Sequence, residues 1–158
     1  MSRQKTIKDR FIPLTQSEAD LLIQTEKHYL GEETFLFPYG GRQITVPLFS
    51  AERKHEFTLD VNSKRLDIRK YTFGNRTKST IILVRVDLLD GGKHVNPDET
   101  IIEGPHIHEY REGFGDRFAR PLPPEFGNPH EPFNVFLYLM NYCKVVTKPR
   151  FHNLLPIH

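Results

Sequence analysis

A chain of 158 residues with 37% hydrophobic and 27% charged side chains is the size of one domain built on one core. Its 22 basic and 20 acidic residues nearly cancel, leaving a formal net charge of +2. That balance excludes a strongly acidic nucleic-acid mimic and does not demand a nucleic-acid partner. Cys143 is the single cysteine, so an intrachain disulfide and a thiolate metal cluster are both excluded.

Met1 to Arg10 is polar and basic with no apolar stretch, so no signal peptide is expected. No run approaches the roughly 20 apolar residues that span a bilayer, and the expected location is cytoplasmic with no membrane partner. Thr15-Gln-Ser-Glu18 reads as a capping box, with Leu14 and Ala19 placed as a hydrophobic staple. A helix should follow through Leu22, Ile23 and Glu26 and close at Gly31.

From Thr34 to Leu89 the apolar period shortens to two, the mark of strands. Phe35 and Phe37 alternate, then Ile44, Val46 and Leu48, then Phe57, Leu59 and Val61. Asn62-Ser63 reads as a tight hairpin turn, and Leu66, Ile68 and Thr72 share one face of the next strand. Gly74-Asn75 reads as a further turn. Ser79 to Leu89 contains Ile81-Ile-Leu-Val84, which is apolar on both faces and suits an interior strand.

Asp90 to Asp98 is a polar loop dense in turn formers. Ile101 to Glu112 resumes extended chain until Gly113 and Gly115 break it. Pro121, Pro123, Pro124, Pro129 and Pro132 stiffen a connector. Phe133 to Val146 has helical spacing, with Cys143 among its apolar residues as a small buried hydrophobe. The expected fold is therefore α+β and a single domain over 1–158. It is an antiparallel β-meander of five to six strands with an N-terminal and a C-terminal helix packed on it.

Gly104 to Arg120 holds most of the residues able to carry chemistry. On a strand, His106, His108, Tyr110 and Glu112 share one face, and the two histidines lie roughly 6.5–7 Å apart at Cα. One reading makes His106, His108 and Glu112 ligands of a divalent metal such as zinc or manganese. The His-x-His-x-x-x-Glu spacing resembles the first metal motif of cupins, but Thr100 and Ala119 stand where its glycines belong. A second reading makes His106, His108, Tyr110 and Arg117 the acid, base and phosphate partners of a metal-independent ribonuclease that needs no cofactor. A third makes the segment a binding surface in which Arg111, Phe114 and Arg120 meet a protein or RNA partner.

His94 would join the histidine pair only if its loop folds back, because pairing of Leu89 with Ile101 sets it roughly 16 Å away along the strand. Register decides whether His106 lies opposite Val84, an apolar setting, or Arg85, a cationic one. Lys64, Arg65, Arg69, Lys70, Arg76 and Lys78 form a basic patch that reads more simply as charged strand edges.

Leu14-Thr-Gln-Ser-Glu-Ala-Asp-Leu-Leu-Ile23, Gly104-Pro-His-Ile-His-Glu-Tyr-Arg-Glu-Gly113 and the Phe-rich last helix together resemble a bacterial family called domain of unknown function 6978. The resemblance covers nearly the whole chain, and Pro-His-x-His-x-Tyr is its most specific part. It implies one compact α+β domain in prophage or mobile-element neighbourhoods. A regulatory or conflict role of toxin–antitoxin type, on a protein or RNA partner, would follow. It supplies no catalytic residue.

Overall fold

The computed structural model describes residues 14–65, 70–88 and 92–154. Sequence expectations for Met1–Arg10, Leu66, Ile68, Arg69, Leu89, Asp90, Leu155 and Ile157 fall outside those residues. In chain order the elements are helix α1 (Gln16–Gln24), β1 (Lys27–His28), β2 (Thr34–Leu36), β3 (Gln43–Phe49), β4 (Glu56–Ser63) and β5 (Tyr71–Thr77). There follow β6 (Ile81–Leu88), β7 (Lys93–Val95), β8 (Ile101–Glu103), β9 (His106–Glu109), β10 (Ala119–Pro121), helix α2 (Pro132–Tyr142), β11 (Val145–Thr147) and β12 (Arg150–His152).

Eight strands form one sheet in the order β10-β9-β6-β5-β4-β3-β1-β11, while β12 with β2 and β7 with β8 form two-stranded ribbons. The fold is α+β. Its central run β3 to β6 is an antiparallel meander, and β6 is interior, between β5 and β9. The strands beyond five or six are mostly three residues or shorter, too short to leave a periodic signal.

One face of the sheet is the core. Phe57, Leu59, Val61, Tyr71, Phe73, Val84, Val86, Leu88 and Ile107 are buried there with residues of both helices. Phe73, Phe37 and Phe136 pack with ring centroids 5.3–6.2 Å apart, which seats α2 over β5. Cys143 lies in this core, and burial pushes its thiol up to about 12, so it is inert as a nucleophile at neutral pH.

The capping box forms as read, with the Thr15 hydroxyl accepting from Glu18 N and the Glu18 carboxylate accepting from Thr15 N. The helix stops at Gln24, well before Gly31. Lys27 caps it there: its buried Nζ donates to the carbonyls of Leu22, Ile23 and Thr25, and also to that of Cys143 beyond α2.

Two predicted turns prove to be strand. Asn62 and Ser63 pair with Thr72 and Tyr71. The reversal comes later, between Lys64 and Lys70, because Ser63 Oγ finds its partners inside the sheet end, at Arg42 O and Gly41 N. Gly74 and Asn75 sit mid-strand in β5, where Asn75 Nδ2 donates to Thr58 O. The turn falls instead at Lys78 and Ser79, both at positive φ. The last helix ends before Val146, since Lys144 adopts φ 59° and the chain becomes β11.

Candidate metal centre

The face opposite the helices carries polar residues in register. Asp60, Gly74, Arg85 and His108 are successive neighbours across β4, β5, β6 and β9, and Asn62, Thr72, Asp87 and His106 form the next row. His106 therefore lies opposite Asp87, and His108 opposite Arg85; neither Val84 nor Arg85 faces His106. The extra residue at the Asn75/Arg76 irregularity of the β5–β6 pair is invisible to an alternation count.

His94 does fold back. Its strand β7 pairs with β8, not along the main sheet, with His94 opposite Ile102. Gly104, at φ 78°, turns the chain between β8 and β9, so the ribbon lies over the histidine face. Asn96 fixes it there. Its buried side-chain amide donates to Ala119 O at 2.9 Å and accepts from Ala119 N at 2.8 Å, docking the ribbon on β10. The His94 ring centroid then stands 4.7 Å from that of His108 and 5.6 Å from that of His106.

One ligand nitrogen from each of His94, His106 and His108 lies within 4.8 Å of the other two. His106 and His108 are 2% and 0% exposed. Each imidazole sends one nitrogen to a main-chain carbonyl: His94 Nε2 to Arg117 O at 2.8 Å, His106 Nδ1 to Gly104 O at 2.8 Å, His108 Nδ1 to Asp116 O at 2.7 Å. A carbonyl only accepts, so all three of these nitrogens carry hydrogen. The remaining nitrogen of each ring is the one left for a ligand role.

Asp87 stands at the convergence. Its Oδ2 is 3.2 Å from His106 Nε2 and 3.1 Å from His108 Nε2, and the Arg85 guanidinium bonds the same oxygen at 3.1 Å. Burial alone would raise the Asp87 carboxyl, but its hydrogen bond with His106 and the Arg85 charge hold it far below the usual carboxylate range. Burial likewise opposes charge on His106, and the bonds to Asp87 and Gly104 O outweigh it, so its pKa is raised. Arg85 Nη2 also donates to His108 Nε2 at 3.0 Å, and Nη1 to Asp116 at 2.6 Å. The pocket is thus one carboxylate, three imidazoles and a guanidinium.

The other residues singled out from sequence lie elsewhere. Tyr110 leaves the histidine face because β9 ends at Glu109; its hydroxyl donates to Leu14 O in the core. Glu112 caps α1, accepting from Gln16 N, and is no partner of the histidines. Arg111 lies over the Phe118 ring at 3.8 Å and Arg117 over Phe114 at 5.7 Å, and the two rings pack at 5.0 Å. Arg120 pairs with Glu109 at 2.6 Å. Of the basic patch, Arg76 is taken by Asp60 and Ser79 O.

Asp87 and Asn96 were missed in the sequence. A charged Asp87 two residues from Arg85, inside an apolar strand, was the available signal. Comparison with known proteins agrees with the resemblance. The model of a family of unknown function, DUF6978, matches residues 14–145. The chain belongs to that family. No curated protein and no solved structure matches it. Among the described residues no helix is long and apolar enough to cross a membrane.

Proposed function

We propose that this protein binds a divalent transition metal through His94, His106 and His108, with Asp87 as the carboxylate of the same centre. The observation that carries this reading is the three-fold pinning of the rings: each imidazole has one N–H spent on a main-chain carbonyl, each ring brings a nitrogen within 4.8 Å of the others, and His106 and His108 turn Nε2 to Asp87. Such outer hydrogen bonds fix the tautomer and aim of metal-ligating histidines. Zinc bound at about 2.0–2.1 Å sets its donors roughly 3.3 Å apart in a tetrahedron, so nitrogens within 4.8 Å of one another need only small side-chain adjustments. Imidazole with carboxylate suits zinc, iron, cobalt or manganese. Near-complete burial of His106 and His108 favours this role over acid–base work on an RNA strand, which would have to reach both rings.

Isothermal calorimetry with zinc and manganese tests the proposal. One equivalent should bind wild-type protein, and His94→Ala and His108→Ala should each abolish or strongly weaken binding. Equal binding by the variants, or none by the wild type, would sink it.

The partner-binding reading keeps one specific support. Phe114 is 40% exposed on the Gly113–Gly115 turn, edge-to-face with Phe118 and with Arg117 over its ring, the residue types that anchor interfaces. In this reading the protein is a regulatory or conflict module acting on a protein partner. A Phe114→Ala variant that captures the same partner as wild type would remove it.

A further inference from the structure

The geometry points to a ligand site beside the metal centre: the groove across the polar face of β3 to β6, which takes a small hydroxylated carboxylate such as a sugar acid. The inference rests on the metal reading above and names what that centre acts on or holds.

The groove is about 600 Å³ and is lined in part by Gln43, Asn62, Lys64, Thr72, Arg85 and Asp87. That size lies within the range of small-molecule sites. It is continuous with the centre, because Asp87 and Arg85 belong to both. The β7–β8 ribbon is docked on the far side of the histidines by its His94 to Arg117 and Asn96 to Ala119 bonds. Groove and centre meet through Asp87 and Arg85, since none of the three histidines lines the groove itself.

Its lining is a register row. Gln43, Asn62, Thr72, Asp87 and His106 are successive cross-strand neighbours, each step about 4.8 Å. From Asp87 to Asn62 is then about 10 Å, the span of a short polar molecule. Asp87 is engaged, but among the described residues the side chains of Gln43, Asn62, Thr72 and Lys64 enter no hydrogen bond or ion pair. They offer two amides, a hydroxyl and an ammonium to a ligand's hydroxyls and carboxylate.

In the neighbouring row Gly74 lies between Asp60 and Arg85. A Cβ there would meet nothing closer than 3.8 Å, so a larger residue has room beside Arg85, a residue that lines the groove. Charge selects an anion. Arg85 faces two carboxylates, Asp87 and Asp116, so the three together carry one net negative charge, which Lys64 and a bound dication turn to net positive.

Zinc-loaded protein titrated with gluconate, followed by calorimetry and by amide shifts on β4 and β5, tests this. Gluconate should bind the loaded protein at least tenfold more tightly than the unloaded. Asn62→Leu, Gly74→Val and Lys64→Met should each weaken it severalfold or more while zinc affinity stays unchanged. Asn62 and Lys64 are outside the core, so those variants report even where Gly74→Val perturbs folding. Zinc binding without gluconate binding, or gluconate binding indifferent to all three substitutions, overturns the inference and leaves the metal reading standing. Absence of zinc binding by the wild type overturns both.

Discussion

Replacing Lys27 with methionine separates two opposed effects in one buried side chain. The ammonium is fully buried and donates to four carbonyls at 2.7–3.1 Å, tying the end of α1 to the end of α2. Methionine keeps the stem but strands those acceptors. At about 1 kcal/mol or more for each buried unpaired group, Lys27→Met should destabilise the fold by about 3–5 kcal/mol near pH 7. The opposing effect is desolvation, which pulls the ammonium from 10.5 down to about 8. Below pH 8 both states carry the proton and the folded state bears the whole cost. Between pH 8 and 10.5 the unfolded chain binds more protons, so stability from this group rises with pH. The full gap corresponds to about 3 kcal/mol at about 1.4 kcal/mol per pH unit. Urea unfolding of wild type and variant from pH 7 to 9.5 isolates it by difference, since other groups cancel. The wild-type advantage should grow by about 2 kcal/mol across that window. A flat or shrinking difference would mean that the carbonyls hold Lys27 as an ammonium throughout, and the reasoning would fail.

Asp87→Ala should cost about 3 kcal/mol by leaving Arg85 and His106 without their shared carboxylate, measured by denaturant unfolding; a loss below about 1 kcal/mol would show that the network is solvated. Asn96→Ala removes both bonds to Ala119 and should cost about 2 kcal/mol, while weakening zinc binding about as much as His94→Ala does. Gly104→Ala and Gly113→Ala each force a Cβ on a residue at φ 78° or 83° with open space around it, so each should lose about 1 kcal/mol. Gly104→Ala should lower zinc affinity more than Gly113→Ala, because its turn carries the ribbon and is itself the His106 acceptor, while Gly113 acts only through the Asp116 and Arg117 carbonyls that follow it; equal effects would refute the role given to the bend.

How much of this was legible follows from range of interaction. The α1 capping box, the interior strand β6 and the apolar face of β4 rest on local pattern, and the structure keeps them. His106 and His108 stood out because two imidazoles on one strand face are chemically loaded wherever they occur. What the sequence hid depends on contacts between distant segments. Gly74-Asn75 reads as a turn by composition, yet strand pairing on both sides overrides it. His94 reads as remote while β7 and β8 are imagined as part of the main sheet. Glu112 reads as a ligand until β9 is seen to end at Glu109, after which alternation no longer fixes its direction.

The glycines bear most directly on chemistry. Read along the chain, Gly104, Gly113 and Gly115 are breaks; in the fold all three adopt positive φ and turn the segments that flank β9 and β10. The carbonyls that hold the histidines belong to Gly104, Asp116 and Arg117, at or just after those turns. Three imidazoles could satisfy their N–H groups on side chains or water and remain free to rotate. Main-chain acceptors, set by backbone that only glycine adopts without strain, remove that freedom. Rings so fixed, largely withdrawn from solvent and convergent on a carboxylate, are poorly placed to shuttle protons to a polymer. They are well placed to hold one ion with small side-chain adjustments, once it displaces the Arg85 bond to His108 Nε2 and the proton that His106 Nε2 shares with Asp87.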